Sequence, residues 1–302
     1  MADDQRVLGS IVLRAGPLGL GLAALGRPAY INVGHGRDLA GETDVSALER
    51  RAHAVLDAAH AADVRYFDAA RSYGRAEEFL ASWLDSRAIS PGDVTVGSKW
   101  GYVYTGDWRI DADRHEEKDL SADNLRRQVA ESRALLGEHL ALYQIHSATL
   151  ESGVLDDAAV RDELARLRAQ GIKIGFTTSG PKQRETIEHA LEVGGFDTVQ
   201  ATWNLLERSA GPALQDAHEA GLGVIVKEAL ANGRVLEHVP DTVALAAALA
   251  QPWADVVLSG AATVSQLESN LRALDVEYDG SHDDFVEDPE TYWSTRAALP
   301  WN

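Results

Sequence analysis

Helix-type and strand-type patterns alternate along almost the whole chain, and that alternation limits the fold more than any other feature. Val45–Ala61 repeats apolar residues at helical spacing, and Val64–Asp68 then reads as a strand. Helix Ala76–Ser86, strand Val94–Lys99, helix Ala122–Leu136 and strand Leu140–His146 follow. Asp156–Gln170 is a helical segment stopped by Gly171, and Ile172–Thr178 is the next strand. The rest pairs helix Pro181–Val193 with strand Thr198–Trp203, helix Gly211–Ala220 with strand Gly223–Glu228, and helix Thr242–Leu249 with strand Asp255–Ser259, before helix Ser265–Leu274. With Leu18–Ala23 as the first strand there are eight strands, each followed by a helix. Such alternation implies a parallel sheet. Eight units in about 250 residues is the usual size of a closed barrel. The expected fold class is therefore α/β, a (β/α)8 TIM barrel. No Pro/Gly/Ser-rich linker divides residues 1–302, which read as a single domain. Two long loops, Arg27–Asp44 and Gly101–Leu120, break the rhythm, and the tail Val276–Asn302 suits a further acidic helix.

Composition removes several classes of function. No stretch approaches the ~20 apolar residues that cross a bilayer. The opening MADDQRVLGS lacks a basic segment followed by an apolar run, so no secretion signal is expected and the cytoplasm is the expected compartment. The absence of cysteine excludes disulfides, thiolate-bound zinc and a cysteine nucleophile. A net charge of −19 argues against nucleic acid as a partner.

Four polar residues stand where apolar strands end: Asp68 and Tyr73 in RYFDAARSYG, Lys99 in VTVGSKWG and His146 in LALYQIHS. Parallel α/β folds collect functional groups at that end, because the loops that follow it form the site. Taken singly, each has an ordinary explanation: a turn-forming acid, a rim aromatic, a solvated lysine, a satisfied buried histidine. Together, an acid, a phenol, an ammonium and an imidazole make a proton-transfer device.

The order Asp68, Tyr73, Lys99, His146, with VQATWNLLER in the sixth strand, resembles the aldo-keto reductase family from about Leu18 to Asn270. The resemblance implies a barrel that binds NADPH, with NADH as the alternative, and reversibly reduces an aldehyde or ketone to an alcohol. A free phenol has a pKa near ~10, and an adjacent ammonium lowers it. Lys99 is the expected cation, and Asp68 the anion that keeps it charged. Tyr73 then acts as general acid and base, while His146 orients the carbonyl.

Further site residues follow from the same resemblance. Gly21 closes the first strand near the cofactor. Gln200 matches a residue that holds the nicotinamide carboxamide, and Thr177 and Thr178 replace the family's Ser-Asn pair. Lys227 stands where an aromatic ring often stacks, with a phosphate, a substrate carboxylate or Glu228 as its expected partner; Trp203 is the alternative aromatic surface. Gly260, Thr263, Gln266 and Asn270 align with contacts to adenosine and its phosphate. Trp100, Tyr102, Tyr104 and Trp108 offer an apolar wall for the substrate, or packing that fixes their loop. Gly19-Leu-Gly21-Leu-Ala-Ala24 is only superficially a Rossmann fingerprint, because Pro28 and INVGHG follow it instead of a helix. His115-Glu116-Glu117 has no second ligand pair, so no metal is expected. Two other functions fit the same residues: a lyase with a Schiff base on Lys99, and a weakly catalytic NADPH-binding regulatory protein.

Overall fold

A strand covered by helices outside and by a filled interior inside must be apolar on both faces. All six residues of Thr95–Trp100 are buried, as is the neighbouring strand Tyr66–Asp68. The structure, a computed structural model, describes Leu8, residues 16–39 and residues 41–302. The opening decapeptide read above for a secretion signal therefore lies, Leu8 apart, outside the described residues. The barrel strands are β1 Leu18–Gly21, β2 Tyr66–Asp68, β3 Thr95–Trp100, β4 Leu140–Ala148, β5 Lys173–Thr178, β6 Thr198–Thr202, β7 Gly223–Lys227 and β8 Val256–Ser259. They close in the order β1-β8-β7-β6-β5-β4-β3-β2, every pair parallel. This is the (β/α)8 barrel that the alternation implies.

The helices form as their sequences dictate. Ser121 caps Ala122–Leu136 by accepting from the Asn124 amide, and Gly137 ends it at φ 54°. Leu125, Val129, Ser132 and Leu136 recur at helical spacing and belong to its buried face. Inside the barrel, Leu8, Tyr66, Leu142, Ile225, Val256 and Leu258 form one apolar cluster. The polar cluster beside it is built by Asp68, Lys99, Gln144 and Gln200, all buried.

Several boundaries differ from the sequence reading. β1 stops at Gly21, and β6 stops at Thr202, which leaves Trp203 outside the ladder. β7 stops at Lys227 because Glu228 takes φ 56°, which cannot continue a strand. β4 runs past His146 to Ala148, with an irregularity at Ser147 (φ 57°). The loop after β3 contains an antiparallel hairpin, Tyr102–Tyr104 with Glu116–Lys118. The tail forms helix Pro289–Ala297, capped by Asp288. No helix of the described residues is long and apolar enough to cross a membrane.

One buried cluster ties the outer layer to the site. Glu77 is 1% exposed and accepts from Ser98 Oγ (2.5 Å), Ser132 Oγ (2.7 Å) and Arg71 Nη1 (2.5 Å). Arg71 lies in the loop that carries Tyr73, and its amide donates to the Lys99 carbonyl at 3.0 Å. Glu77→Ala takes the acceptor from both buried hydroxyls and leaves Arg71 only its pairing with Glu131. A stability loss of about 2–4 kcal/mol is expected. It is read as a lower urea midpoint at unchanged slope; a loss under about 0.5 kcal/mol would show that the cluster is structurally idle.

Candidate active site

Side chains alternate along a strand, so residues two apart point the same way. Asp68 and Lys99 point into the interior side by side from the adjacent strands β2 and β3. Lys99 Nζ is ion-paired with Asp68 Oδ1 and donates to the Ala69 carbonyl at 3.1 Å. The other carboxylate oxygen accepts from Tyr66 Oη (3.0 Å), Gln200 Nε2 (3.0 Å) and Gln144 Nε2 (3.4 Å). Both charges are almost fully buried, and such charges persist only when paired and hydrogen-bonded as these are.

Tyr73 sits above this pair in the loop after β2. The loop is pinned to β3 by the amides of Ala69 and Arg71, which donate to Gly97 and Lys99 carbonyls at 2.8 and 3.0 Å. A close approach to the loop after β1 fixes its other side. A Cβ on Gly26 would lie 2.2 Å from the Tyr73 carbonyl oxygen, so only glycine fits there. Lys99 Nζ is 5.0 Å from the Tyr73 ring centroid, and the His146 ring meets Tyr73 edge-on at 5.5 Å. Tyr102 packs on His146 at 4.9 Å. His146 Nδ1 lies 3.5 Å from Ser72 Oγ.

The electrostatics of the phenol differ from the sequence expectation. Burial, then the Asp68 and Glu116 carboxylates, push the Tyr73 hydroxyl well above its ordinary value, and Arg27 opposes them. Lys99 is already paired with Asp68, so the phenol is held protonated rather than loosened. Burial, then Lys99, Lys227 and Arg27, push His146 well below the usual histidine range. The imidazole is neutral at pH 7 and can donate one ring N–H.

These groups open onto a cavity of about 850 Å³ at the mouth of the barrel where the strands end. Asp68, Tyr73 and His146 lie on its wall, and Lys99 stands behind them. Of the expected cofactor residues, Gly21, Thr177, Gln200, Lys227, Gly260, Gln266 and Asn270 line the cavity. Thr178 and Thr263 do not. Thr178 follows Thr177 and so points outward, and Thr263 is the cap of helix Val264–Leu271. Of the expected substrate wall, Tyr102 lines the cavity, but Trp100, Tyr104 and Trp108 do not. Trp100 is fully buried in the outer core, one residue past inward-facing Lys99. Trp108 packs against Phe79 and donates to the Thr43 carbonyl at 2.7 Å. Trp203 packs on Trp253 and offers the cavity no ring.

Sequence reasoning missed Arg27, Asn232 and the tail-helix partner of Glu228. Arg27 is 2% exposed; its guanidinium donates to the Ser72 carbonyl (3.0 Å) and Glu116 (2.6 Å) and lies 5.2 Å from the Tyr73 ring. It also stacks on Trp301, 4.8 Å away. Glu228 forms a two-pronged pair with Arg296 of the tail helix. Burial alone would raise its carboxyl; Arg296 and then Lys227 outweigh it and hold the group at about 2. Asn232, 4% exposed, belongs to the cavity wall, and its side-chain oxygen has no partner among the described residues. Glu228, Ala231 and Asn232 all have positive φ, between 49° and 56°. Such clustered strain marks functional loops, and the Asn232-Gly233 pair was its visible signal.

Lys227 donates to Thr202 Oγ1 at 2.8 Å and lies 3.7 Å from Glu228. Glu228 is one of the partners expected for it. Burial is the main influence on its ammonium; Glu228 opposes it and Arg296 adds to it, bringing the group down to about 8.

The model of the aldo/keto reductase family matches residues 17–241. The chain belongs to the aldo/keto reductase family. A D-threo-aldose 1-dehydrogenase from a Pseudomonas species is 25% identical over 239 residues, which span 72% of this chain and 70% of that protein. A crystal structure assigned as an aldo-keto reductase from Pseudomonas aeruginosa superposes with a TM-score of 0.68 at 25% identity, covering 90% of this chain and 96% of that one. The holo form of a Bacillus halodurans aldo-keto reductase shares the fold at a TM-score of 0.68 and 18% identity, over 96% and 95% of the two chains. As an aldo/keto reductase, the protein is an oxidoreductase.

Proposed function

We propose that this chain, folded as one domain, uses a nicotinamide dinucleotide to reduce an aldehyde or ketone reversibly to an alcohol. One observation carries the reading: Tyr73 and His146 meet at a cavity wall directly above the buried Lys99–Asp68 pair. The cavity suits a dinucleotide. Its volume of about 850 Å³ lies in the range of roughly 300–1,000 Å³ typical of cofactor sites. The buried, unpartnered oxygen of Asn232 calls for a donor from a ligand. Gln200 and Thr177 would hold the reactive ring, and Gln266 and Asn270 the far end.

When bound, the cofactor supplies a hydride to the carbonyl carbon. As that C–H bond forms, the C=O π electrons move to oxygen, which takes the phenolic proton of Tyr73. His146, neutral, donates its ring N–H to the same oxygen and fixes the carbonyl's direction. Lys99 and Asp68 hold a charge pair beneath the phenol. Lys99 is no free nucleophile: it is 1% exposed and doubly engaged, so a Schiff base has no room to form.

The substrate end is polar. Arg27, Glu116, Tyr102 and Trp301 surround the position in front of Tyr73. Charged groups beside aromatic faces suit a polyhydroxylated carbonyl, consistent with the named activity of the aldose dehydrogenase relative. Fluorescence titration with NADH and NADPH, followed by a carbonyl panel including aldoses, tests the reading. Tight binding without turnover across the panel would instead favour a regulatory nucleotide-binding protein.

A phenol held protonated serves reduction directly, whereas alcohol oxidation needs the phenolate. Oxidation is therefore expected to rise by roughly ten-fold per pH unit through the alkaline range, while reduction stays flat from about pH 6 to 8. Parallel pH profiles of the two directions check this; an oxidation rate already level below about pH 8 would contradict the raised phenol.

A further inference from the structure

The cations on the cavity wall are not spread along it. Arg27 is bound to Glu116 beside Tyr73, and Lys227 and Arg296 are both tied to Glu228. Arg27 and Lys227 are close enough to His146 to shift its titration, so they belong to the reaction end. Another part of the wall is built by residues after Glu228 and after β8. It carries Glu237, Asp241, Gln266 and Asn270, with His238 and neither lysine nor arginine. Asp241 is held in a fixed direction. Asn270 Nδ2 donates to its Oδ2 at 2.9 Å and the Thr242 amide to its Oδ1 at 2.9 Å. A carboxylate has about four acceptor sites, so both oxygens keep capacity for a ligand hydroxyl.

We propose that this wall selects the nucleotide with a free ribose diol, so that the enzyme takes NADH in preference to NADPH. The inference rests on the nicotinamide reading above. Hydride transfer requires the reactive ring at Tyr73, so the adenosine half must extend along the cavity to the wall after β7 and β8. There Asp241 accepts a hydrogen bond from a ribose hydroxyl. A 2′-phosphate brings about two negative charges to the same place and needs Arg or Lys donors. It meets Asp241 and Glu237 instead, in a chain of net charge −19. The same chemical rule separates the two dinucleotides elsewhere: a carboxylate takes the diol, a guanidinium takes the phosphate.

Equilibrium titration of the full chain with each dinucleotide, followed by tryptophan quenching, tests this without turnover. NADH should bind at least roughly ten-fold more tightly than NADPH, and rising salt should narrow the gap by screening the repulsion. Asp241→Asn should lower the preference for NADH by roughly five-fold or more, mainly by strengthening NADPH binding. The salt series on the unaltered protein gives an answer even if that variant folds poorly. Equal or tighter binding of NADPH overturns the proposal while leaving the nicotinamide reading intact. Binding of neither dinucleotide overturns both.

Discussion

Tyr73→Phe is expected to lower kcat for carbonyl reduction by roughly 10²–10⁴-fold, the typical contribution of a positioned general acid. The change removes a single oxygen. The ring keeps its edge contact with His146 and its place beside Arg27 and Lys99. Dinucleotide affinity and thermal stability should therefore change little. This combination separates a proton donor from a packing residue: a rim aromatic would lose almost nothing with its hydroxyl. Turnover within about two-fold of the unaltered enzyme would contradict the assignment.

Lys99→Met should damage the protein twice. Asp68 is left charged in the interior, among Tyr66, Gln144 and Gln200, with its ammonium gone. Breaking a buried pair in this way typically costs about 3–5 kcal/mol. Catalysis should fall as well, because the field beneath Tyr73 turns from a balanced pair to a bare carboxylate, which pushes the phenol further up. Adding Asp68→Asn separates the two effects. The double variant should recover most of the stability, since the amide that replaces the carboxylate is neutral, and little of the activity. A single Lys99→Met variant as stable as the original protein would contradict the buried pair.

The fold was legible because the βα units repeat a strand run, a turn and an amphipathic helix, with Gly137, Gly171, Gly194 and Gly221 just past the ends of four of the helices. The four candidate residues stood out for a related reason. A buried strand that ends in Asp or Lys breaks its own apolar rule, and such breaks concentrate where function requires them. What failed was parity. If Lys99 faces inward then Trp100 faces outward, and the same holds for Thr177 and Thr178. Applied strictly, alternation excludes Trp100 and Thr178 from the cavity without coordinates. Other groups were not readable at all. Arg27, Glu116 and Arg296 come from two loops and the tail helix, and sequence separations of 89 residues between Arg27 and Glu116 and 68 between Arg296 and Glu228 leave no local trace. The direction of the Tyr73 shift was missed because burial, the largest influence on the phenol, and the Asp68 and Glu116 carboxylates were left out beside the lysine.

The tail returns to the mouth through Trp301 on Arg27 and through Asn302, which exchanges backbone hydrogen bonds with Tyr30 at 3.1 and 3.2 Å. Arg27 in turn holds the hairpin by Glu116 and the Tyr73 loop by the Ser72 carbonyl. Residues distant in sequence thus fix the phenol in one place, the preorganisation that proton donation requires.

The most direct measurement is the fate of a labelled hydride. Reduced dinucleotide carrying deuterium on the transferring face of nicotinamide C4 is incubated with the protein and a panel of aldehydes and aldoses in ordinary water, and the products are weighed by mass spectrometry. The expected product is an alcohol bearing a single deuterium on the former carbonyl carbon, formed by the unaltered protein and nearly absent with Tyr73→Phe. An alcohol without deuterium, or no alcohol from any carbonyl despite tight dinucleotide binding, would contradict direct hydride transfer at Tyr73.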